Sequence, residues 1–283
     1  MAIITISRGC YSHGQEIAER TAEILQYECL SQEFLMEASQ FFRVPEKKLM
    51  ASIHDAPGFL ERITHAREKF LSCIQAALLE HVKKDNVIYH GYAGHLLIPG
   101  IHHVLKVRVI AEMEDRIVLL RDRRKMSRSE AVDFIETEDR HRAEWNHHFF
   151  NRDMSDPRLY DMILNIGRLR VQEACEIIAT AARSEAFRTT PASEKAIRDL
   201  ALGSHVKAAL QDICDAEVTA KEGIVHIKVR GQKLIKTGIA SPKVQSQVRE
   251  QIREDLMQEI MEAIQGIPEI KEVNCNIDLP YYH

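Results

Sequence analysis

The stretch that most constrains this chain is its opening, where the β-rich run Ala2 to Ile6 meets Ser7-Arg8-Gly9 and a helical pattern begins at Gly14. The β-branched residues favour a strand, and Ile17, Ala18, Thr21, Ala22, Ile24 and Leu25 recur on one face of the helix that follows. Gly9 and Gly14 stand at GxxxxG spacing between the two elements. In that setting, backbone N–H groups and the positive end of a helix hold phosphate oxygens whatever the side chains are.

A phosphate loop ordinarily adds a lysine that reaches the outer phosphates and a Ser or Thr hydroxyl that ligates magnesium. Here Gln15 and Glu16 occupy those places. Glutamine carries no charge, and a carboxylate beside a polyphosphate repels it unless a metal intervenes. The candidate phosphate-binding set is therefore Gly9, Ser12, His13, Gly14, Gln15 and Glu16.

Helical periodicity runs from about Ser31 to Lys84, broken at Val44-Pro45 and Ala56-Pro57-Gly58, and reads as a helical insertion. Asn86 to Tyr89 and Val104 to Ile110 are short, apolar and β-branched, as strands buried on both faces of a parallel sheet require. A charged helical stretch spans Met113 to Phe150, Tyr160 to Ile166 reads as the last strand, and Val171 to Ala182 as the closing helix. The fold class expected is α/β: a parallel sheet with a helical insertion and a lid.

The proline-bearing segment 187–193 reads as a linker, dividing the chain into domains at 1–186 and 194–283. Beyond it, Val225, Ile227 and Val229 alternate with polar residues, as do Val273, Cys275 and Ile277. With helices over about Glu194 to Ile213 and Val244 to Ile264 and a turn at Lys221-Glu222-Gly223, this half reads as a small α+β unit with its helices on one sheet face.

Composition narrows the partners. From Glu194 onward 12 basic residues face 14 acidic ones, and the rest of the chain has 26 against 28, so neither half carries a field that would attract nucleic acid. Six cysteines are scattered singly, without a CxxC pair, and read as reduced, mostly buried thiols. No apolar run approaches the roughly 18 residues of a membrane span, so a cytoplasmic protein is expected. His141, Glu144 and His148 could share a helical face, but Trp145, Phe149 and Phe150 around them favour packing over a metal site.

The opening Ile-Thr-Ile-Ser-Arg, Gly14, Glu16-Ile17-Ala18, Ala131, Asp139-Arg140-His141-Arg142, Asp156-Pro157 and Tyr160-Asp161 through Leu164-Asn165 resemble the cytidylate kinase-like family over roughly Met1 to Ala182. The resemblance implies a P-loop kinase-like domain that uses ATP and Mg2+ to phosphorylate a nucleotide such as CMP. Relatives carry Gly-Arg after the strand where Tyr92 follows Gly91 here, and an arginine where Gln15 stands. The arginine-rich stretch matches a mobile lid that closes over phosphates, with Arg128, Arg140 and Arg142 as the implied lid positions. The second unit resembles a divergent BON-type module over about Glu194 to Leu279, implying a binding or contact role with a ligand the sequence does not name. Two readings follow: a nucleoside monophosphate kinase, or a nucleotide-binding regulatory protein, weakly active or inactive, with homo-oligomerisation as one means of coupling its parts. The missing loop cation, magnesium hydroxyl and substrate arginine favour the second.

Overall fold

The computed structural model describes residues 2–31, 35–36, 39, 47, 64–231, 233–234, 242–279 and 281–282. Most of the insertion expected between Ser31 and Lys84, including both proline breaks, lies outside the described residues. Its final part is a helix, α2 (Thr64–Val82).

The first unit is built on five parallel strands: β1 (Ile3–Arg8), β2 (Glu28–Leu30), β3 (Val87–His90), β4 (Val104–Ala111) and β5 (Met162–Ile166), in the order β2-β3-β1-β4-β5. β1 lies at the centre, with Ile3 paired to Val87 of β3 on one side and to Val104 of β4 on the other. A central strand must be apolar on both faces, and Ala2, Ile3, Ile4 and Ile6 are essentially fully buried. One face is covered by α1 (Gly14–Leu25) and α6 (Val171–Ala182), whose Ile17, Ala18, Cys175 and Ile178 share a cluster with Ile4, Ile6, Leu105 and Val107. The other carries α2 (Thr64–Val82) and α3 (Gly94–Leu97), with Ile3, Leu78, Tyr89 and Leu97 in a second cluster.

The charged helical stretch comprises two helices, α4 (Met113–Arg124) and α5 (Arg128–Phe150). Lys125 ends the first in the left-handed region, and a capping box begins the second: Ser127 Oγ accepts from the Glu130 amide while the Glu130 carboxylate accepts from the Ser127 amide. β5 starts at Met162 rather than Tyr160, because Asp156-Pro157 first nucleates a 3-10 turn over Pro157–Leu159.

α7 (Pro191–Leu210) begins three residues before the expected start, with Thr190 as N-cap and Pro191 at the first helical position, where its missing N–H is harmless. β6 (Ala216–Lys221) and β7 (Ile224–Val229) form a hairpin across Glu222 and Gly223, both at positive φ as a type I′ turn demands. The short β8 (Lys233–Leu234) and α8 (Pro242–Ile264) follow, then β9 (Glu272–Ile277), parallel to β7, and β10 (Tyr281–Tyr282), paired with β8. Val225, Ile227 and Val229 pack with Leu202, Val206 and Leu210 of α7 and Ile260 and Ile264 of α8, so both helices lie on one sheet face. Of the six cysteines, all free, Cys10, Cys73 and Cys175 are buried, while Cys29, Cys214 and Cys275 are only partly so. Among the described residues no helix is long and apolar enough to cross a membrane.

α7 belongs to both units. Its Ile197, Ala201 and Ala208 share the α2 cluster, while Leu202, Val206 and Leu210 belong to the second core. Gln211 donates to Ser72 Oγ at 3.1 Å and Lys83 to Glu269 at 2.8 Å across the same boundary. Replacing Ile197, 1% exposed, by alanine should therefore cost about 2–4 kcal/mol. Urea unfolding followed by circular dichroism and by Trp145 fluorescence should show both transitions moving together; a shift in only one would contradict the shared helix.

Candidate functional site

The chain leaves β1 at Arg8 and reaches α1 through a turn in which φ alternates in sign. Tyr11 (φ 56°) and His13 (φ 64°) are left-handed, while Cys10, Ser12 and Gly14 are not. Such alternation brings successive amides to one concave side, the geometry of an anion nest. The amides of Gly14, Gln15 and Glu16 open α1 and have no carbonyl one turn earlier in the helix, so its positive end faces the same hollow.

Side chains lock this turn. Ser12 is buried, and its hydroxyl lies 3.0 Å from the Gly9 carbonyl and 3.1 Å from that of Val109, tying the loop to β4. Both polar groups of Cys10 are held: its amide donates to Asp139 Oδ1 at 2.8 Å, and its carbonyl accepts from Arg116 Nε at 2.7 Å. Arg116 in turn donates to Asp139 Oδ2 at 2.5 Å, closing a ring between loop, α4 and α5. Burial pushes the Cys10 thiol up to about 11, which keeps it protonated near neutral pH.

The hollow is a cavity of about 210 Å³ bounded by residues Cys10 to Glu16, with Arg8, Arg123, Arg124, Phe134, Glu138 and Arg142 around it. Arg142 lies over the Tyr92 ring at 4.6 Å, and Tyr92 packs edge-on against Trp145 at 5.7 Å. Tyr92, which stands where relatives carry arginine, is thus the platform for Arg142. Arg124 lies 4.8 Å over Phe134 and 5.9 Å over Tyr11. The Nε atoms of Arg8 and Arg142 are both buried without a hydrogen-bond partner. Burial, and after it the charge of Arg142, lowers the Arg8 pKa to about 10, still well above neutrality.

The expected phosphate-loop residues Gly9, Ser12, His13, Gly14, Gln15 and Glu16 are brought together, but their side chains are largely committed elsewhere. Gln15 donates to Glu19 at 2.8 Å along the exposed side of α1. Glu16 pairs with Arg20 at 2.7 Å and His13 at 3.0 Å, so the repulsion expected of it is offset by its own helix. Of the three lid arginines, Arg142 lines the cavity and the other two do not. Arg140 is exposed and donates to Thr137, and Arg128 is exposed and pairs with Glu114 at the base of α4. Sequence reasoning missed Arg8 and Asp139 as site residues. Arg8 carried one usable signal, a charged residue closing an otherwise apolar central strand immediately before the first loop glycine.

Phosphate fits this donor set, since amides and guanidinium groups converge on one cavity. A protein-held magnesium ion does not: the Ser12 hydroxyl is held by two backbone carbonyls, Glu16 is already doubly paired, and Asp139 is bound to Arg116. Among the described residues no group of three His, Cys, Asp or Glu side chains could hold a metal. His148, on the helical face considered for one, packs edge-on against Phe149 at 5.0 Å.

A five-stranded parallel sheet whose central strand feeds a glycine loop and helix, with an arginine-bearing helical hairpin beside the loop, defines a P-loop kinase-like architecture. The model of the cytidylate kinase-like family matches residues 3–168, and the chain belongs to that family. An uncharacterized protein from Eubacterium ventriosum ATCC 27560 shares the fold at 16% identity, with a TM-score of 0.50 over 65% of this chain and 100% of that one. Shikimate kinase from Bacteroides thetaiotaomicron (13% identity, TM-score 0.39, 65% of this chain and 99% of that one) superposes more loosely. So does a gluconokinase from Sinorhizobium meliloti 1021 (13%, 0.37, 64% and 93%). No curated protein sequence matches the chain.

The Asp139 ring makes a prediction about the loop itself. Asp139→Ala removes a charge-assisted acceptor of the kind worth about 1.5–3 kcal/mol. The Cys10 amide should then exchange with deuterium about 10- to 100-fold faster, while the Val107 amide in β4 keeps its rate. Unchanged exchange at Cys10 would show that the loop holds its shape without Asp139.

Proposed function

We propose that this chain is a nucleotide-binding member of its family whose degenerate loop holds phosphate with little or no turnover, serving a regulatory or sensing role. The observation that carries the binding half is the pair of buried, unpartnered guanidinium nitrogens, Arg8 Nε and Arg142 Nε, beside a cavity onto which the amides of the glycine loop open. Both arginines are half-buried, and a phosphate group in the cavity would supply acceptors to guanidinium groups that have none among the described residues.

The loss of turnover is supported by the commitments of Gln15 and Glu16. Phosphoryl transfer depends on positioning and on neutralising charge around the transferred group, and the two loop positions that ordinarily do this are occupied by helix-surface pairs. ATP and Mg2+, which the family resemblance implies, enter this reading as a nucleotide held by the loop and a metal carried by the nucleotide. The second unit runs α7-β6-β7-β8-α8-β9-β10; its helix-hairpin-helix-strand succession, with β8 and β10 added as a short parallel pair, supports reading it as a BON-like module, to which we assign the contact or sensing role. A second reading, ATP-dependent phosphorylation of a CMP-type nucleotide, draws support from the same two arginines, which leave the site rich in cations.

Calorimetric titration with ATP, ADP and CMP, with and without magnesium, together with a coupled assay of ADP release, separates the two. We expect ATP or ADP binding, also visible in the fluorescence of Trp145, the chain's sole tryptophan, which touches the Arg142 platform. Arg142→Ala should weaken binding about 10- to 100-fold and Arg140→Ala hardly at all. Turnover lost in Arg142→Ala would establish the kinase; absence of binding to the intact protein would overturn both readings.

A further inference from the structure

We propose that Arg8, the last residue of the central strand, supplies the positive charge that this loop lacks at Gln15, so that the bound phosphate is gripped from the strand side between Arg8 and Arg142. This rests on the phosphate-binding reading above and assigns the loop's cation to a residue outside the GxxxxG frame.

Three independent features point to it. The first is where the side chain runs. A Cβ placed on Gly14 would lie 2.6 Å from both Cβ and Cδ of Arg8, so the aliphatic stem of Arg8 lies directly across the second loop glycine, and Arg8 is among the residues that line the cavity. Gly14 is thereby required for space, to let a strand side chain pass into the hollow, as well as for backbone approach to a ligand. The second is the state of the guanidinium. Among the described residues Arg8 donates no hydrogen bond, although its Nε is buried. After burial, the largest influence on it is another cation, Arg142. Arg8 and Arg142 are both half-buried on one cavity and neither guanidinium has a hydrogen-bonded acceptor among the described residues, which leaves room for a doubly charged anion. The third is the behaviour of the alternative. Gln15, at the usual cation position, turns its amide along the helix to Glu19 and is exposed.

The ligand chemistry this selects is a phosphate dianion, such as the terminal phosphate of a nucleoside diphosphate. A guanidinium offers a planar fork to two phosphate oxygens where a lysine would offer a point charge, so the grip is bidentate. Glu138 also lines the cavity and would disfavour a further negative group next to it.

The test uses the full chain, with ADP as the probe and inorganic phosphate as competitor, in four proteins: wild type, Arg8→Met, Gln15→Lys and the double variant. Arg8→Met should bind ADP about 30-fold or more weakly. Its ligand-free melting temperature should equal or exceed that of wild type, because an uncompensated buried charge is gone, whereas a structural role for Arg8 would lower it. Moving the cation back onto the helix should restore affinity: Gln15→Lys should gain at least 10-fold in the Arg8→Met background and less than about threefold in wild type, the non-additivity expected of two groups serving one phosphate. Gln15 is exposed, so the single Gln15→Lys protein tests the proposal even if Arg8→Met folds poorly; a gain of 10-fold or more there would mean the loop's cation site is vacant and would overturn the proposal. Equal ADP affinity in Arg8→Met and wild type would overturn it as well while leaving phosphate binding intact. Failure of wild type to bind ADP, with no competition by phosphate, would instead remove the broader reading and this one with it.

Discussion

The burial of β1 on both faces determines most of what surrounds the site. A strand flanked by β3 and β4 and covered by helices on each side can carry charge only where it emerges, and it emerges at Arg8. The next residues must then satisfy their own polar groups at the rim of an apolar core. They do so by borrowing partners from distant segments: Gly9 and Ser12 from Val109 of β4, Cys10 from Asp139 of α5 and Arg116 of α4. The loop therefore holds its shape through contacts as far apart as 129 residues in sequence, and the hollow it encloses precedes any ligand.

Preorganisation of this kind separates two functions that the usual phosphate loop combines. Backbone amides bind phosphate without regard to side chains, whereas catalysis needs a cation and a metal positioned on the transferred group. Here the backbone part is complete and the helix-borne part is spent on α1's own surface, where Gln15 meets Glu19 and Glu16 meets Arg20. The cationic side chains that line the hollow come from β1, α4 and α5.

The sequence made the scaffold legible because its signals are local. Strand, glycine turn and helix follow one another within 25 residues, the hairpin at Glu222-Gly223 declares its turn type, and Val171–Ala182 carries its boundaries in its periodicity. The split between α4 and α5 was also locally encoded, in Ser127 and Glu130, but the arginine pattern running through both helices masked it. Much of the site was less legible, because it depends on pairings between segments. Arg142, Arg140 and Arg128 look alike in sequence. Only the stacking of Arg142 on Tyr92 and the pairing of Arg128 with Glu114 decide which one faces the cavity. Asp139 reads as one more charge on a helix until Arg116 and the Cys10 amide are found on its two oxygens.

The same reasoning bears on the boundary between the units. The proline-bearing segment before α7 has the composition of a linker, yet Thr189 donates to Asp85 at the foot of the first sheet and Thr190 caps α7 directly. α7 then divides its apolar residues between two cores. Its inner face joins a cluster that also contains Leu78, Tyr92 and Trp145, so the packing that seats the second unit is continuous with the aromatic platform beneath Arg142. Close-packed interiors transmit displacement poorly in small increments and well as repacking. A change in how α7 sits on α2 would therefore have to be absorbed within the cluster that positions Tyr92, and the guanidinium resting on that ring is held by stacking, its Nε without a hydrogen-bond partner.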